Sequence, residues 1–202
     1  MVNVTLKCLF RKQGVSLRRG SRMIFVSGLS KSGKTYTVKL AGLRDHRLVH
    51  VKASAILKAS NRPLTSLTSE DVLENQRVLI SALKDFRAPP GCLGILDGHT
   101  IVETDTGTMV LPDWVFDELG ILAFVLVADD LSSIVHRRAG TGLAIDLPEI
   151  CARQELERRQ AEHQARRLGV TFVEIKSGDV LALLSAAKRV LVRPELPRPD
   201  TR

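Results

Sequence analysis

Apolar residues recur along the chain as short runs that are separated by longer stretches with helical periodicity. Five runs have the continuous apolar character of strands that are buried on both faces of a parallel sheet; they are 23–27, 48–51, 93–96, 121–127 and 170–175. Because parallel strands need crossover connections, and helical stretches lie between these runs, the pattern predicts a three-layer α/β fold with right-handed crossovers.

The helical stretches carry recognisable start and stop signals. Thr68-Ser-Glu-Asp71 has the spacing of a capping box and begins a helix that runs towards Phe86 with one apolar face. Asp146-Leu-Pro148 begins a long polar helix that ends before Gly169. The other predicted helices are 34–43, 112–119, 131–138 and 179–192.

The first predicted strand is followed at once by Gly28-Leu-Ser-Lys-Ser-Gly33-Lys34-Thr35, which fits the pattern G-x-x-x-x-G-K-[ST]. This pattern is typical of a loop whose backbone N–H groups surround a polyphosphate. Lys34 would supply positive charge to the β- and γ-phosphates, and the Thr35 hydroxyl would ligate Mg²⁺. The sequence therefore predicts a site for ATP and Mg²⁺. Its candidate residues are Gly28, Ser30, Lys31, Ser32, Gly33, Lys34, Thr35 and Tyr36.

An acidic residue ends the third predicted strand, in Leu93-Gly-Ile-Leu-Asp97-Gly-His99. Asp97 is at the position where a Walker-B aspartate orients Mg²⁺, and the loops at this edge of a parallel sheet form the ligand crevice. A solvent-facing loop acid is the alternative interpretation. We predict that Thr35 and Asp97 are the metal ligands.

Positive charge is concentrated near the N-terminus. The chain of 202 residues has a formal net charge of +8, and its first 44 residues contain ten Lys and Arg but no Asp or Glu. This uneven distribution argues against an evenly basic nucleic-acid surface. Lys31 and Lys34 belong to the predicted phosphate loop, whereas the six basic residues from Lys7 to Arg22 lie outside it. These six residues leave open a docking segment for a nucleic acid or a protein partner.

The phosphate loop, the Asp97-Gly-His99 strand end and the arginine-rich stretch after Leu131 together resemble the adenylate kinase group of nucleoside monophosphate kinases. The similarity is greatest to archaeal-type adenylate kinases and their bacterial relatives, which have an Asp-x-His sequence at this place. The segment 101–115 is also similar to that subgroup, and the resemblance spans residues 22–180. It implies phosphoryl transfer from MgATP to a nucleoside monophosphate, with AMP as the first candidate, and a sheet in the order 2-3-1-4-5.

The resemblance also implies a domain organisation. A P-loop nucleoside monophosphate kinase domain would span 22–192, with a monophosphate-binding insertion at 52–90 and a lid at 131–147. A basic segment, 1–21, would precede this domain, and a proline-rich tail, 193–202, would follow it.

Within the insertion, Ala53-Ser54-Ala-Ile-Leu-Lys58 is similar to the family's segment that ends in a phosphate-binding arginine. Lys58, or Arg62 just beyond it, is therefore the candidate for the acceptor phosphate; a lysine contacts phosphate as a point charge rather than as a fork. His99 either contacts the monophosphate or caps a loop. The candidate acceptor-binding residues are Ser54, Lys58, Arg62, Gln76, Asp97 and His99.

Phosphoryl transfer needs fixed cations that neutralise the charge on the transferring oxygens. The resemblance implies that Arg137 and Arg138 are lid arginines. When positions are counted back from Gly169, Arg158 corresponds to the family's arginine that touches the phosphates when the lid closes. Arg153 is about 140° away around the helix. The alternative is that Arg158 takes part in i,i+4 ion pairs on a solvated helix. The candidate catalytic residues are Lys34, Arg137, Arg138 and Arg158.

Ser177-Gly178 follows the fifth strand, where the family packs a loop against the donor adenine; a plain turn is the alternative. Tyr36 and Trp114 are isolated aromatic residues that we expect in the core rather than as stacking platforms. The cysteines and the remaining histidines have no metal-ligand spacing, so we expect reduced thiols and surface or partly packed imidazoles. They are Cys8, Cys92, Cys151, His46, His50, His136 and His163.

The longest apolar run, 121–128, is too short to cross a bilayer, and the N-terminus lacks a signal segment. We therefore expect a cytoplasmic protein without a membrane partner. Two functional classes remain. The first is a nucleoside monophosphate kinase, and the alternative is a P-loop ATPase or nucleotide-binding switch that acts with a protein or nucleic-acid partner. The oligomeric state is left open.

Overall fold

The computed structural model describes residues 23–139 and 146–192. The strands in these ranges are β1 (Met23–Ser27), β2 (Leu48–Lys52), β3 (Leu93–Asp97), β4 (Ile101–Thr104), β5 (Gly107–Val110), β6 (Ile121–Ala128) and β7 (Thr171–Lys176). The helices are α1 (Lys34–Arg44), α2 (Ala53–Ala59), α3 (Ser69–Leu83), α4 (Asp113–Glu118), α5 (Leu131–Ala139), α6 (Leu147–Arg167) and α7 (Val180–Val192).

Five strands form one parallel sheet in the order β2-β3-β1-β6-β7. The strands β4 and β5 form a separate antiparallel hairpin, so β6 and β7 are the fourth and fifth strands of the parallel sheet. Numbered in this way, the sheet has the predicted order 2-3-1-4-5, and the α/β prediction is confirmed. In the central strand, Val26 pairs with Asp97 of β3 on one side and with Val125 of β6 on the other. The register therefore places the end of β1, where the phosphate loop begins, beside Asp97.

Side chains of the central strand alternate between two cores, one on each face of the sheet. Met23 and Phe25 pack on the side of α3, α4 and α6, whereas Ile24 and Val26 pack on the side of α1 and α7. Phe25 lies edge-on against Phe116 of α4, with 5.6 Å between ring centroids. Burial on both faces explains why the strand sequences are continuously apolar.

Each of the six predicted helices is present, and the capping box is real. The Thr68 hydroxyl accepts from the Asp71 N–H at 3.1 Å, and the Asp71 carboxylate accepts from the Thr68 N–H at 3.3 Å. Sequence reasoning missed α2 and the hairpin of β4 and β5. The hairpin strands have four residues each and are largely half-buried or exposed, so they lack the apolar runs that identify the sheet strands.

The expectation for the isolated aromatic residues was wrong. Tyr36 is 60% exposed and Trp114 is 37% exposed, because each lies on the outward face of its helix. Cys92 and Cys151 are free thiols, the first half-buried and the second exposed. No helix in the described ranges has the length and apolar character needed to span a membrane. The predicted segments 1–21 and 193–202, together with 140–145 of the predicted lid, lie outside the described residues.

Candidate nucleotide-binding site

The phosphate loop joins the end of β1 to the start of α1, and its path requires glycine at two positions. Gly28 has φ 145° and Gly33 has φ 91°, values that L side chains rarely adopt. A Cβ on Gly28 would overlap the Val127 carbonyl oxygen, and a Cβ on Gly33 would overlap the Ser177 hydroxyl. The ends of β6 and β7 therefore explain why the first and sixth positions of the motif are glycines.

The start of α1 offers backbone N–H groups to a ligand. Its N-cap residue is Gly33, which has no side chain to cap the helix, and the first N–H groups of a helix have no acceptor within the helix. Lys31, in the same loop, has φ 70°, a left-handed conformation that helps successive N–H groups to converge. The loop and the helix start together form a surface suited to phosphate oxygens.

Lys34 is buried under the loop and folds back onto it. Its Nζ donates to the carbonyl oxygens of Gly28 at 2.6 Å and Leu29 at 2.9 Å. Burial lowers the pKa of Lys34 to about 8, while the negative charges of Asp97 and Glu157 act in the opposite direction. The ammonium group is thus held by neutral carbonyl groups, which a phosphate can replace as its partners.

Thr35 and Asp97 are brought together, as the sequence predicted for a metal site. Thr35 Oγ1 donates to Asp97 Oδ2 at 2.6 Å, and His50 Nε2 lies 3.3 Å from the same oxygen. Burial disfavours the charged form of Asp97, but the His50 hydrogen bond, the Lys34 charge and the Thr35 hydrogen bond outweigh it and lower the pKa of this carboxyl group.

The chemistry of this donor pair fits Mg²⁺. The ion prefers oxygen ligands and usually takes one or two protein oxygens, completing its shell with water and substrate phosphates. The Thr35 hydroxyl and the ionised Asp97 carboxylate supply two such oxygens side by side. Within the described ranges, no group of three or more His, Cys, Asp or Glu is arranged to hold a metal.

His99 faces the phosphate loop. Burial and the Lys34 charge lower the pKa of His99 to about 3, although the Asp97 charge and a hydrogen bond with the Gly28 backbone act in the opposite direction. The imidazole is therefore neutral near pH 7. A contact of His99 with the monophosphate stays a prediction.

Arg137 and Arg138 lie at the end of α5 and donate to the backbone of the phosphate loop. Arg137 Nε donates to the Lys31 carbonyl oxygen at 2.8 Å, and Arg138 Nε donates to the Ser30 carbonyl oxygen at 3.3 Å. With the two carbonyl groups that Lys34 occupies, the carbonyl groups of 28–31 all accept from cationic side chains. The two arginines are therefore placed at the loop.

Glu103 of the hairpin holds a pair of arginines beside the loop. One carboxylate oxygen accepts from Arg138, which is 1% exposed, and the other pairs with Arg153 of α6 at 3.0 Å. Arg153 also pairs with Glu149 at 2.5 Å. This network joins the hairpin to the end of α5 and the first half of α6.

The hydrogen bonds and ion pairs described for Arg158 are on its own helix. Its guanidinium pairs with Glu155 at 2.7 Å and with Glu162 at 3.4 Å, which is the solvated pattern that the sequence left as the alternative. The α6 residue that reaches the phosphate loop is Glu157, and Arg153 lies one turn earlier on the same side. A phosphate contact of Arg158 in a closed lid stays a prediction.

Four of the six predicted acceptor residues lie in the insertion between β2 and β3; the other two, Asp97 and His99, lie at the end of β3 and just after it. Arg62 Nε donates to Oδ1 of Asn75 at 2.8 Å, and Asn75 is only 2% exposed, so the guanidinium is oriented by a buried partner. Lys58 is exposed on α2 and Ser54 is half-buried there, whereas Gln76 is buried on α3. None of the contacts described for the four insertion residues reaches the phosphate loop.

The turn after β7 packs on the start of α1. The Ser177 hydroxyl lies against Gly33, and the Gly178 N–H donates to Thr37 Oγ1 at 2.9 Å. A Cβ on Gly178 would lie 3.7 Å from the ring of Tyr36. The turn therefore borders the phosphate loop next to an exposed aromatic ring.

Sequence reasoning missed His50 and Glu157. His50 precedes the end of β2 by two residues, so it lies at the same sheet edge as Asp97. Glu157 falls on the apolar stripe of α6, seven residues after Ile150 and four before Ala161. An acidic residue on an apolar stripe is the signal that could have identified it.

No family model and no curated protein matches the chain. Among solved structures, a gluconokinase from Sinorhizobium meliloti 1021 is similar, with a TM-score of 0.51, 17% identity and coverage of 86% of this chain and 95% of that chain. A shikimate kinase from Acinetobacter baumannii in complex with shikimate has a TM-score of 0.55, 12% identity and coverage of 86% and 96%. An unliganded sugar kinase from Janibacter sp. HTCC2649 has a TM-score of 0.50, 19% identity and coverage of 84% and 98%.

These matches show that the chain has the fold of P-loop kinases. At this level of identity they show the fold alone. The resemblance to adenylate kinases rests on the sequence motifs.

Proposed function

We propose that the protein is a phosphotransferase that moves the γ-phosphoryl group of MgATP to a nucleoside monophosphate, with AMP as the first candidate. The support begins with the phosphate loop, the buried Lys34 and the adjacent oxygens of Thr35 and Asp97. P-loop enzymes use these parts to hold the β- and γ-phosphates and Mg²⁺. The similar solved structures are named as kinases, which supports a kinase.

The residues of the loop have distinct roles in this proposal. The N–H groups at the start of α1 bind the triphosphate, and the Lys34 ammonium exchanges the carbonyl groups of Gly28 and Leu29 for phosphate oxygens. Thr35 and Asp97 hold Mg²⁺, which when bound supplies positive charge at the β- and γ-oxygens. Arg138, whose charge already acts on Lys34, adds fixed positive charge in a water-excluded site.

In this proposal the adenine of the donor lies beside the turn after β7. Ser177 and Gly178 pack on the start of α1, and the exposed ring of Tyr36 lies next to Gly178. An aromatic ring that is exposed next to a phosphate loop offers a surface on which a base can stack. We propose that these three residues flank the adenine.

The observation that carries the choice of acceptor is that the carboxylates beside the loop are already engaged. Asp97 accepts from Thr35 and lies against His50, Glu157 accepts three backbone N–H groups, and Glu103 pairs with two arginines. A hydroxyl acceptor such as shikimate must lose a proton to a base as it attacks. A monophosphate oxygen is ionised near pH 7, since its second pKa is about 6. The site thus favours an acceptor that is already an anion.

The acceptor phosphate is assigned in this proposal to Arg62 rather than Lys58. Arg62 is oriented by the buried Asn75, and a guanidinium can bind phosphate with two parallel hydrogen bonds. Lys58 is exposed on α2. The insertion 52–90 then acts as the monophosphate-binding part, and the segment 131–147 acts as the lid.

The experiment is a panel of acceptors incubated with purified protein and MgATP, with ADP formation followed by chromatography. The panel contains AMP, CMP, GMP, UMP, their deoxy forms, gluconate and shikimate. We expect transfer to a monophosphate, and fastest transfer to AMP. Transfer to gluconate or shikimate alone would agree with a kinase but would overturn the proposal that the acceptor is a nucleoside monophosphate. Transfer to none of them would overturn the proposed function.

A further inference from the structure

One carboxylate of α6 is buried between the phosphate loop and the segment that follows Asp97. Glu157 is 0% exposed. Its Oε1 accepts from the N–H of Gly28 at 3.0 Å and from the N–H of Thr100 at 2.9 Å, and its Oε2 accepts from the N–H of Ile101 at 3.0 Å. A single side chain therefore joins two ligand-facing segments that are far apart in sequence.

The backbone of the same residue strengthens this connection. The Glu157 carbonyl oxygen accepts from the Thr100 hydroxyl at 3.3 Å. Burial raises the pKa of Glu157, while the hydrogen bonds from Thr100 and Gly28 and the charge of Lys34 act in the opposite direction. An apolar residue here would leave three buried N–H donors without their acceptor, which costs more than the hydrogen bonds contribute.

The two joined segments carry the two metal ligands. Gly28 begins the loop that ends at Thr35, and Thr100 lies three residues after Asp97. The distance between the loop and the Asp97 segment decides whether Thr35 Oγ1 and Asp97 Oδ2, now 2.6 Å apart, can share one ion.

We propose that Glu157 is a positioning residue, whose carboxylate fixes the phosphate loop against the Asp97 segment so that Thr35 and Asp97 bind one Mg²⁺. Glu157 acts through backbone N–H groups and touches neither the ion nor the nucleotide. The inference rests on the proposed nucleotide site. It is independent of the acceptor.

The test is the Mg²⁺ concentration that gives half-maximal binding of a fluorescent, non-hydrolysable ATP analogue. The variant Glu157→Gln keeps the size of the side chain but loses its charge. Its amide nitrogen is a donor, so at least one backbone N–H group loses its acceptor. We expect the required Mg²⁺ concentration to rise about 10- to 100-fold. Binding of the analogue without Mg²⁺ should change much less.

The matched control is Gln164→Ala on the same helix. Gln164 is 1% exposed, and its Nε2 donates to Asp113 at 2.6 Å, away from the phosphate loop. This variant should lower the melting temperature and leave the Mg²⁺ requirement unchanged. An unchanged requirement in Glu157→Gln, or an equal rise in both variants, would overturn the proposal.

A second variant covers the case in which Glu157→Gln does not fold, as judged by circular dichroism. Glu157→Asp keeps the charge and shortens the reach, and it should raise the Mg²⁺ requirement in the same direction by a smaller factor. An unchanged requirement, or failure of this variant to fold as well, would overturn the positioning role. Because the assay contains no acceptor, a wild-type protein that binds the Mg²⁺ complex but transfers to no acceptor contradicts only the proposed function.

Discussion

The two ends of the candidate site are built differently. At the phosphate end, Lys34 and Glu157 both bond the backbone of Gly28, and Thr35 bonds Asp97, at 2.6 to 3.0 Å. At the proposed acceptor end, in the insertion between β2 and β3, Arg62 donates to the buried Asn75, but Lys58 is exposed. The phosphate end is preorganised, whereas the acceptor end is organised at one arginine only.

This difference matches what each end binds in the proposed reaction. A triphosphate with Mg²⁺ needs many fixed dipoles and charges at once, and preorganised groups lose little free energy to reorganisation when the ligand arrives. An acceptor is selected by a few contacts that can form as the ligand binds. We therefore expect variants at the phosphate end to affect turnover strongly and variants at the acceptor end to affect one substrate only.

The largest effect is expected for Lys34→Met. The variant removes the buried ammonium while filling its volume, so the transition-state charge loses a fixed cation, and kcat should fall about 10³-fold. The matched control is Lys39→Met, an exposed lysine on the same helix, which should leave kcat within about twofold of the wild type. Steady-state ADP formation measures both, and equal losses in the two variants would contradict the role of Lys34.

The next effect tests the contact between the phosphate loop and the turn after β7. In Gly33→Ala, an alanine must adopt the backbone φ of 91°, and its Cβ overlaps the Ser177 hydroxyl. The free energy of unfolding should therefore fall by about 1–3 kcal/mol. Adding Ser177→Gly removes the overlapping atoms and should restore part of the loss. Urea unfolding of the two single variants and the double variant checks this, and purely additive effects would show that the two residues are not in contact.

A smaller effect should separate the two acceptor candidates. Arg62→Ala removes the charged hydrogen-bond donor that we propose for the acceptor phosphate, and it should raise the KM for AMP about tenfold, with the KM for ATP unchanged. Lys58→Ala should change the KM for AMP by less than about threefold, since the side chain is exposed. If Lys58→Ala has the larger effect, the acceptor phosphate binds at α2.

The smallest effect concerns the stability of the phosphate end at acid pH. His99 has a pKa of about 3 when folded and about 6.5 when unfolded, so the unfolded state takes up the proton first as the pH falls below 6.5. The wild type should therefore lose about 1 kcal/mol more stability than His99→Gln between pH 7.5 and pH 5.5. Urea unfolding at both pH values measures the difference, and equal losses would place His99 in a solvated environment.

The sequence predicted the parts of the molecule that local patterns encode. Continuous apolar runs identified the five sheet strands, and the spacing of Gly28, Gly33 and Lys34 identified the phosphate loop. Asp97 was predictable because it ends a strand at the edge where ligands bind. These features need only the period of a strand or the conformation of a single loop.

Features that depend on which helix face turns inward were missed or left as alternatives. Counting along α6 favoured Arg158, but the structure turns Glu157 and Arg153 towards the loop and the hairpin. The helix period alone does not say which polar residue on a charged helix is buried, because that depends on Gly28, Thr100 and Glu103 from distant segments. The partnership of His50 with Asp97 likewise depends on the pairing of β2 with β3.

The most direct measurement is the product ratio when wild-type protein is incubated with MgATP and AMP. The central claim predicts that ATP and AMP are converted to two ADP, followed by ³¹P NMR, with little inorganic phosphate. The alternative class, an ATPase or nucleotide-binding switch, depends on the basic residues 7–22, which lie outside the described residues. Release of inorganic phosphate without loss of AMP would contradict the claim and favour that alternative.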